Sequence, residues 1–174
     1  MKTIASFTID HTILPKGLYL SRVDGDCVTY DIRTRRPNKE PVMETGAVHT
    51  IEHLFATFAR NSALSDRVLY VGPMGCRTGF YLLLRDSVVY FGPMGCRTGF
   101  YFIVRDTVTK QQAVDLVRDA LAFCAAFEGD VPGVSAKECG NWRDHDLPGA
   151  KKEAAAMCAV LEHWTPDDLA YPTK

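Results

Sequence analysis

Residues 68–87 and 88–107 align without a gap and agree at fourteen of twenty positions, ten of them consecutive (72–81 against 92–101). This tandem repeat restricts the fold more than any other stretch, because two near-copies of one segment cannot both fill a single place in a core. Each unit reads as strand, Gly-Pro-Met-Gly turn, strand: residues 68–71 then 78–84 in the first copy, 88–91 then 98–104 in the second. Two units are too few for a solenoid. The expectation is one hairpin within a sheet and a second added beside it or looped out.

The sequence around the repeat supplies the remaining layers. Residues 26–34 alternate, with Val28, Tyr30 and Ile32 on one face and Cys27, Thr29, Asp31 and Arg33 on the other, which predicts a strand. Residues 35–41 are polar, carry two prolines and cannot continue a ladder. Thr45 reads as an N-cap for a helix over 46–60, whose Ile51, Leu54, Phe55 and Phe58 share a face. A second helix is predicted over 110–127, with Val114, Val117, Leu121, Cys124 and Phe127 inward. Residues 137–147 read as irregular, and 149–164 as a last helix burying Met157, Val160, Leu161 and Trp164. The order predicts an α+β fold, a mostly antiparallel sheet with helices packed on one face. At 174 residues, 47% hydrophobic, the chain is expected to form one domain over 1–174 with the repeat inside it.

Charge narrows the partners. Twenty Lys and Arg against 21 Asp and Glu give a net charge of −1 with no basic block, so there is no electrostatic footprint for nucleic acid or for an anionic membrane surface. The longest apolar runs, such as 80–84, fall far short of the roughly 20 residues that span a bilayer. The first ten residues turn polar before a secretory apolar segment could develop, and a cytoplasmic location is expected. The six cysteines are then read as separate thiols rather than a disulfide framework.

His49-Thr50-Ile51-Glu52-His53 carries the chemistry. On a helix, residues i and i+4 stack on one side, so the two imidazoles aim at one point and can hold a divalent metal, with Glu52 able to move a proton beside it. The alternative is a solvated face that happens to carry two histidines and a glutamate. A third protein ligand is needed, and Cys139, His145, His11, Cys76 and Cys96 are the candidates. Two imidazoles, one thiolate and an open position would make a catalytic rather than a structural set. Cys76 and Cys96 each end a glycine turn beside an arginine, where backbone N–H groups and a cation lower a thiol pKa. Each also reads as a small buried hydrophobe, and the turn as one kept for its geometry. A phosphate loop is excluded because no Gly-Lys-Ser/Thr follows.

Taken in order, these motifs resemble the LuxS family of S-ribosylhomocysteine lyases. The likeness runs from Ser6-Phe7-Thr8-Ile9-Asp10-His11-Thr12 through Asp31-Ile32-Arg33, Arg36-Pro37-Asn38-Lys39-Glu40 and the His49–His53 motif, to the glycine turn and Lys137-Glu138-Cys139-Gly140-Asn141 with Asp144-His145. The resemblance implies a LuxS/MPP-like metallohydrolase fold. It implies a metal held by His49, His53 and Cys139, Fe2+ in the working enzyme and Zn2+ as commonly isolated. Glu52 and the glycine-turn cysteine would be the general acid/base pair, and Ser6, His11 and Arg33 would contact substrate. The implied reaction cleaves S-ribosylhomocysteine to homocysteine and the precursor of autoinducer-2, used in quorum sensing and methyl-cycle recycling, in a homodimer with pockets at the interface.

The family pattern has the glycine-turn cysteine once, so only one of Cys76 and Cys96 can serve. Cys76 keeps the expected spacing from His53, and Cys96 the expected spacing to Cys139. Two other readings stand beside the lyase. One is a metallopeptidase, since H-x-x-E-H also marks such enzymes. The other is a folded but inactive homologue whose pocket the duplication disturbs.

Overall fold

Alternation at 26–34 becomes strand β2, Cys27–Arg33, which the rest of the sheet is built around. A computed structural model describes residues 9–63, 88–93, 98–139 and 141–173, the segment 88–93 through its backbone. β1 (Gly17–Asp24) pairs with one edge of β2, and β4 (Gly99–Arg105) pairs with the other and with β3 (Val88–Pro93). Every pairing is antiparallel, in the order β1-β2-β4-β3. The register sets Leu18 and Phe100 opposite Ile32, Leu20 and Phe102 opposite Tyr30, and Val104 opposite Val28. One face of β1, β2 and β4 is thereby apolar.

β3 and β4 are the second copy of the repeat. Residues 68–87, the first copy, lie outside the described residues. Gly99 opens β4 because a Cβ there would stand 2.2 Å from the Ile32 carbonyl oxygen. β1 has no readable alternation, since Leu18-Tyr19-Leu20 is apolar at both parities. Tyr19 is buried on the far face, edge-on to Trp164 at 5.8 Å and stacked on Tyr171 at 5.0 Å.

Three helices cover the apolar face, burying Ile51, Leu54 and Phe55 of α1 (Thr45–Asn61), Val114, Val117 and Leu121 of α2 (Lys110–Ala126), and Met157 and Leu161 of α3 (Leu147–Leu161) in the core they share with the sheet. Thr45 is not the cap of α1. The bond from Val48 N–H to the Glu44 carbonyl, 3.1 Å, starts the helix one residue earlier, and extended Glu44 takes the cap position. α2 opens on a capping box: Gln112 N–H donates to Thr109 Oγ1 at 3.2 Å, and Thr109 N–H to Gln112 Oε1 at 2.9 Å. α3 begins earlier than its apolar pattern because Asp146 caps it, accepting from Gly149 N–H at 2.9 Å. It ends at Leu161, and Trp164 lies beyond the helix, its Nε1 donating to the Leu18 carbonyl at 2.9 Å. Among the described residues no helix is long and apolar enough to cross a membrane.

Candidate metal centre

α1 buries every residue from Ala47 to Ala56. His49, Glu52 and His53 are 0%, 2% and 4% exposed, so the solvated-face alternative is excluded. The connection between α2 and α3 covers them and fixes both rings. His49 Nδ1 donates to the Asp144 carbonyl at 2.8 Å, and His53 Nδ1 to the Pro132 carbonyl at 2.6 Å. A carbonyl only accepts, so each Nδ1 carries the hydrogen and each Nε2 presents a bare lone pair. Burial lowers the pKa of both histidines, which keeps the imidazoles neutral, the form that binds a metal.

Cys139 arrives from the irregular segment after Gly133. Its N–H donates to the Ser135 carbonyl at 3.0 Å, and its sulfur accepts from Asn141 N–H at 3.5 Å, a contact that favours thiolate. His49 Nε2 lies 3.4 Å from Cys139 Sγ. Two such donors on one tetrahedral ion stand about 3.5 Å apart, given bonds of about 2.0 Å to nitrogen and 2.3 Å to sulfur. His53 Nε2 is enclosed and has no hydrogen-bond partner among the described residues. One candidate ligand atom from each of His49, His53, Cys139 and His145 falls within 4.8 Å of the others. A buried lone pair left unspent, neutral imidazoles and a sulfur fit a divalent ion of borderline softness such as Zn2+ or Fe2+.

The match to known proteins decides the lineage. The S-ribosylhomocysteinase (LuxS) family model matches residues 4–87 and again residues 83–167, so each matched stretch takes in one copy of the repeat. The chain belongs to the LuxS family. It is 47% identical to the S-ribosylhomocysteine lyase of Phocaeicola vulgatus over 100% of this chain and 99% of that protein. Against the enzyme of the same name from Clostridium acetobutylicum it is 46% identical over 99% of each chain, and against that of Borrelia garinii 40% over 99% of this chain and 100% of the other.

Within this LuxS chain, His11 and Arg33 belong to a second polar group. Asp31 and Arg33 lie on the face of β2 opposite Tyr30 and Ile32, and both are buried, at 1% and 2% exposure. Arg33 Nη2 donates to Asp31 Oδ2 and Nη1 to Thr98 Oγ1, each at 2.6 Å, and Tyr171 Oη donates to the same Asp31 oxygen at 2.8 Å. Burial raises the Asp31 pKa against the opposing pull of Arg33, with His11 adding a weaker pull. His11 is half-buried, its Nδ1 2.9 Å from the Ile9 carbonyl, beside an open cavity of about 390 Å³ lined in part by Asp10, Ile13, Tyr171 and Pro172. Ser6, Cys76 and Cys96 lie outside the described residues.

His145, one of the third-ligand candidates in the sequence, joins the imidazole group, although the resemblance implied no role for it. Its ring stacks on His49, with centroids 3.8 Å apart and planes at 25°, and lies 4.6 Å from His53. Spacing alone does not separate it from His11, because neither shares a helix with the H-x-x-E-H motif.

Proposed function

We propose that the chain is a metal-dependent S-ribosylhomocysteine lyase that yields homocysteine and 4,5-dihydroxy-2,3-pentanedione. The observation that carries this reading is the convergence of His49, His53 and Cys139, held as metal-ready donors from α1 and the connection after α2. Sulfur rather than carboxylate as third donor sets it apart from the peptidase alternative. The fold is read as LuxS/MPP-like, and the ion as Fe2+ in the working enzyme and Zn2+ as isolated.

The bound ion supplies Lewis acidity toward the sugar oxygens. The chain's own residues handle the protons. Glu52, buried one residue before His53, takes a proton from one ribose carbon and returns it to the neighbour, so the carbonyl moves from C1 to C2 and then to C3. The glycine-turn cysteine, Cys96 or Cys76, acts as its acid/base partner. With the carbonyl at C3, loss of a proton from the adjacent carbon expels the homocysteine sulfur by β-elimination, and no redox change occurs. Ser6, His11 and Arg33 contact the substrate.

We read the enzyme as a cytoplasmic homodimer with its pockets at the interface. Mixing His53→Ala with Arg33→Met protomers is the check: partial recovery of turnover is expected, and its absence removes the shared pocket. The lyase itself is tested by thiol release from S-ribosylhomocysteine by the metal-loaded protein. Release is expected to fall about 10²–10⁴-fold in Glu52→Gln. Equal release by the two proteins would end the reading.

A further inference from the structure

His145 carries a buried lone pair that a three-donor metal set leaves unused. Thr50 Oγ1 directs its single hydrogen at the Gly46 carbonyl, 2.8 Å away, and accepts from Asp146 N–H at 2.9 Å. Toward His145 Nδ1, at 3.2 Å, that hydroxyl therefore accepts, which places the ring hydrogen on Nδ1. Nε2, on the opposite edge, is enclosed and has no hydrogen-bond partner among the described residues.

With His49 as a ligand, this ring is not arranged to be a fourth one. Two imidazoles on one tetrahedral ion point at it from centroids roughly 5 Å apart, given metal–nitrogen bonds of about 2.0 Å. His49 and His53, at 4.8 Å and 84°, meet that condition. His49 and His145, at 3.8 Å and 25°, do not, because an ion lies near the plane of each imidazole that binds it and two stacked, nearly parallel planes do not meet there.

Resting on the lyase reading above, we propose that His145 is a substrate-binding residue whose Nε2 accepts a ribose hydroxyl at the position His49, His53 and Cys139 leave open, while its ring steadies His49 by stacking. An acceptor suits this place, since a hydroxyl next to a Lewis-acidic ion is a strong donor. A sugar lacking that hydroxyl leaves the Nε2 lone pair buried and unpaired, so the residue favours a ribosyl group over its deoxy analogues.

The test uses the Co2+-loaded Glu52→Gln enzyme, in which turnover is expected to be slowed enough to follow binding, and records the Co2+ visible bands during titration with S-ribosylhomocysteine. Adding His145→Phe keeps an aromatic ring against His49 and removes the acceptor. The expected result is unchanged bands before substrate and a Kd about five- to tenfold weaker. His145→Gln, whose amide oxygen can accept the same hydroxyl, is expected within threefold of the parent. Altered bands in substrate-free His145→Phe would make the residue a ligand and overturn the proposal. An unchanged Kd in His145→Phe would reduce the residue to packing, and equal loss in both variants would make it a purely structural position; either result also overturns it. If the Glu52→Gln enzyme binds no substrate at all, the lyase reading fails and takes this one with it.

Discussion

The backbone of Gly133 lies against the ring of His53: a Cβ at position 133 would stand 3.1 Å from Nδ1, and φ there is +76°. The same nitrogen donates to the carbonyl of Pro132, one residue earlier. Gly133 thus permits both the left-handed turn and the hydrogen bond that fixes the metal-binding tautomer. Gly133→Ala is expected to cost about 1–2 kcal/mol of stability from the backbone alone and to weaken metal binding about tenfold through a displaced ring. Thermal melting and a chelator competition read the two effects separately. Unchanged metal affinity would show that the Pro132 contact does not orient His53.

The Asp31–Arg33 pair sets a pH dependence with a definite sign. Burial holds the Asp31 pKa above the ordinary carboxylate value even with Arg33 beside it. Arg33→Met removes that opposing charge and drives the pKa higher. A carboxyl whose folded pKa exceeds its unfolded one stabilises below the unfolded value and loses that contribution as pH rises through the folded value. At neutral pH the variant leaves a buried, uncompensated carboxylate, at a cost of about 3–5 kcal/mol. Its deficit against wild type is expected to shrink as pH falls from 7 toward 4, measured by urea unfolding across that range. A deficit independent of pH would assign the loss to packing.

Regular patterns made most of this architecture legible in the sequence. The alternation of Val28, Tyr30 and Ile32 and the helical spacing of Ile51, Leu54 and Phe55 both survive because each element has one face in a common core. The far face of the sheet was not legible. Asp31 and Arg33 read only as part of the polar face of a strand, yet Tyr171 from the C-terminal tail seals them in, and a contact 140 residues away leaves no local pattern. In the site, the i and i+4 pair of His49 and His53 is a local signal, whereas the tautomers that make it usable come from Pro132 and Asp144, whose backbone carbonyls carry no sequence signature. Cys139 stood out through the family likeness, and His145 stayed one candidate among several.

Phe102 explains why the second copy of the repeat suits the place beside β2. It is fully buried, 6.0 Å from the Tyr30 ring and 6.2 Å from Phe55, and the matching residue of the first copy is Leu82. Where β4 makes its most demanding contacts the copies are identical: Gly79 for Gly99, Phe80 for Phe100 and Arg85 for Arg105, whose guanidinium pairs with Asp26. The second copy therefore holds its advantage at the ring. Phe102→Leu is expected to lower stability by about 1–2 kcal/mol through lost burial and an incompletely closed cavity. Urea unfolding with an unchanged m-value checks it, and a loss below about 0.5 kcal/mol would show that Phe102 does not secure the second copy.

The two cysteines of the repeat are expected to separate by function. β2 pairs with residues 99–105, and Arg33 grips Thr98 at 2.6 Å, so the strand that follows Cys96 in the sequence belongs to the described sheet. If a glycine-turn thiol trades protons with Glu52, the expectation falls on Cys96, whose copy of the repeat supplies the strand paired with β2. Cys96→Ala is expected to lower kcat about 10²–10⁴-fold, the range of a lost acid/base group, with metal content and melting temperature unchanged. Cys76→Ala is expected to retain turnover within about twofold. Steady-state thiol release by the two variants decides it: the reverse pattern would give the catalytic place to the first copy, and equal partial losses would mean that the two hairpins share it.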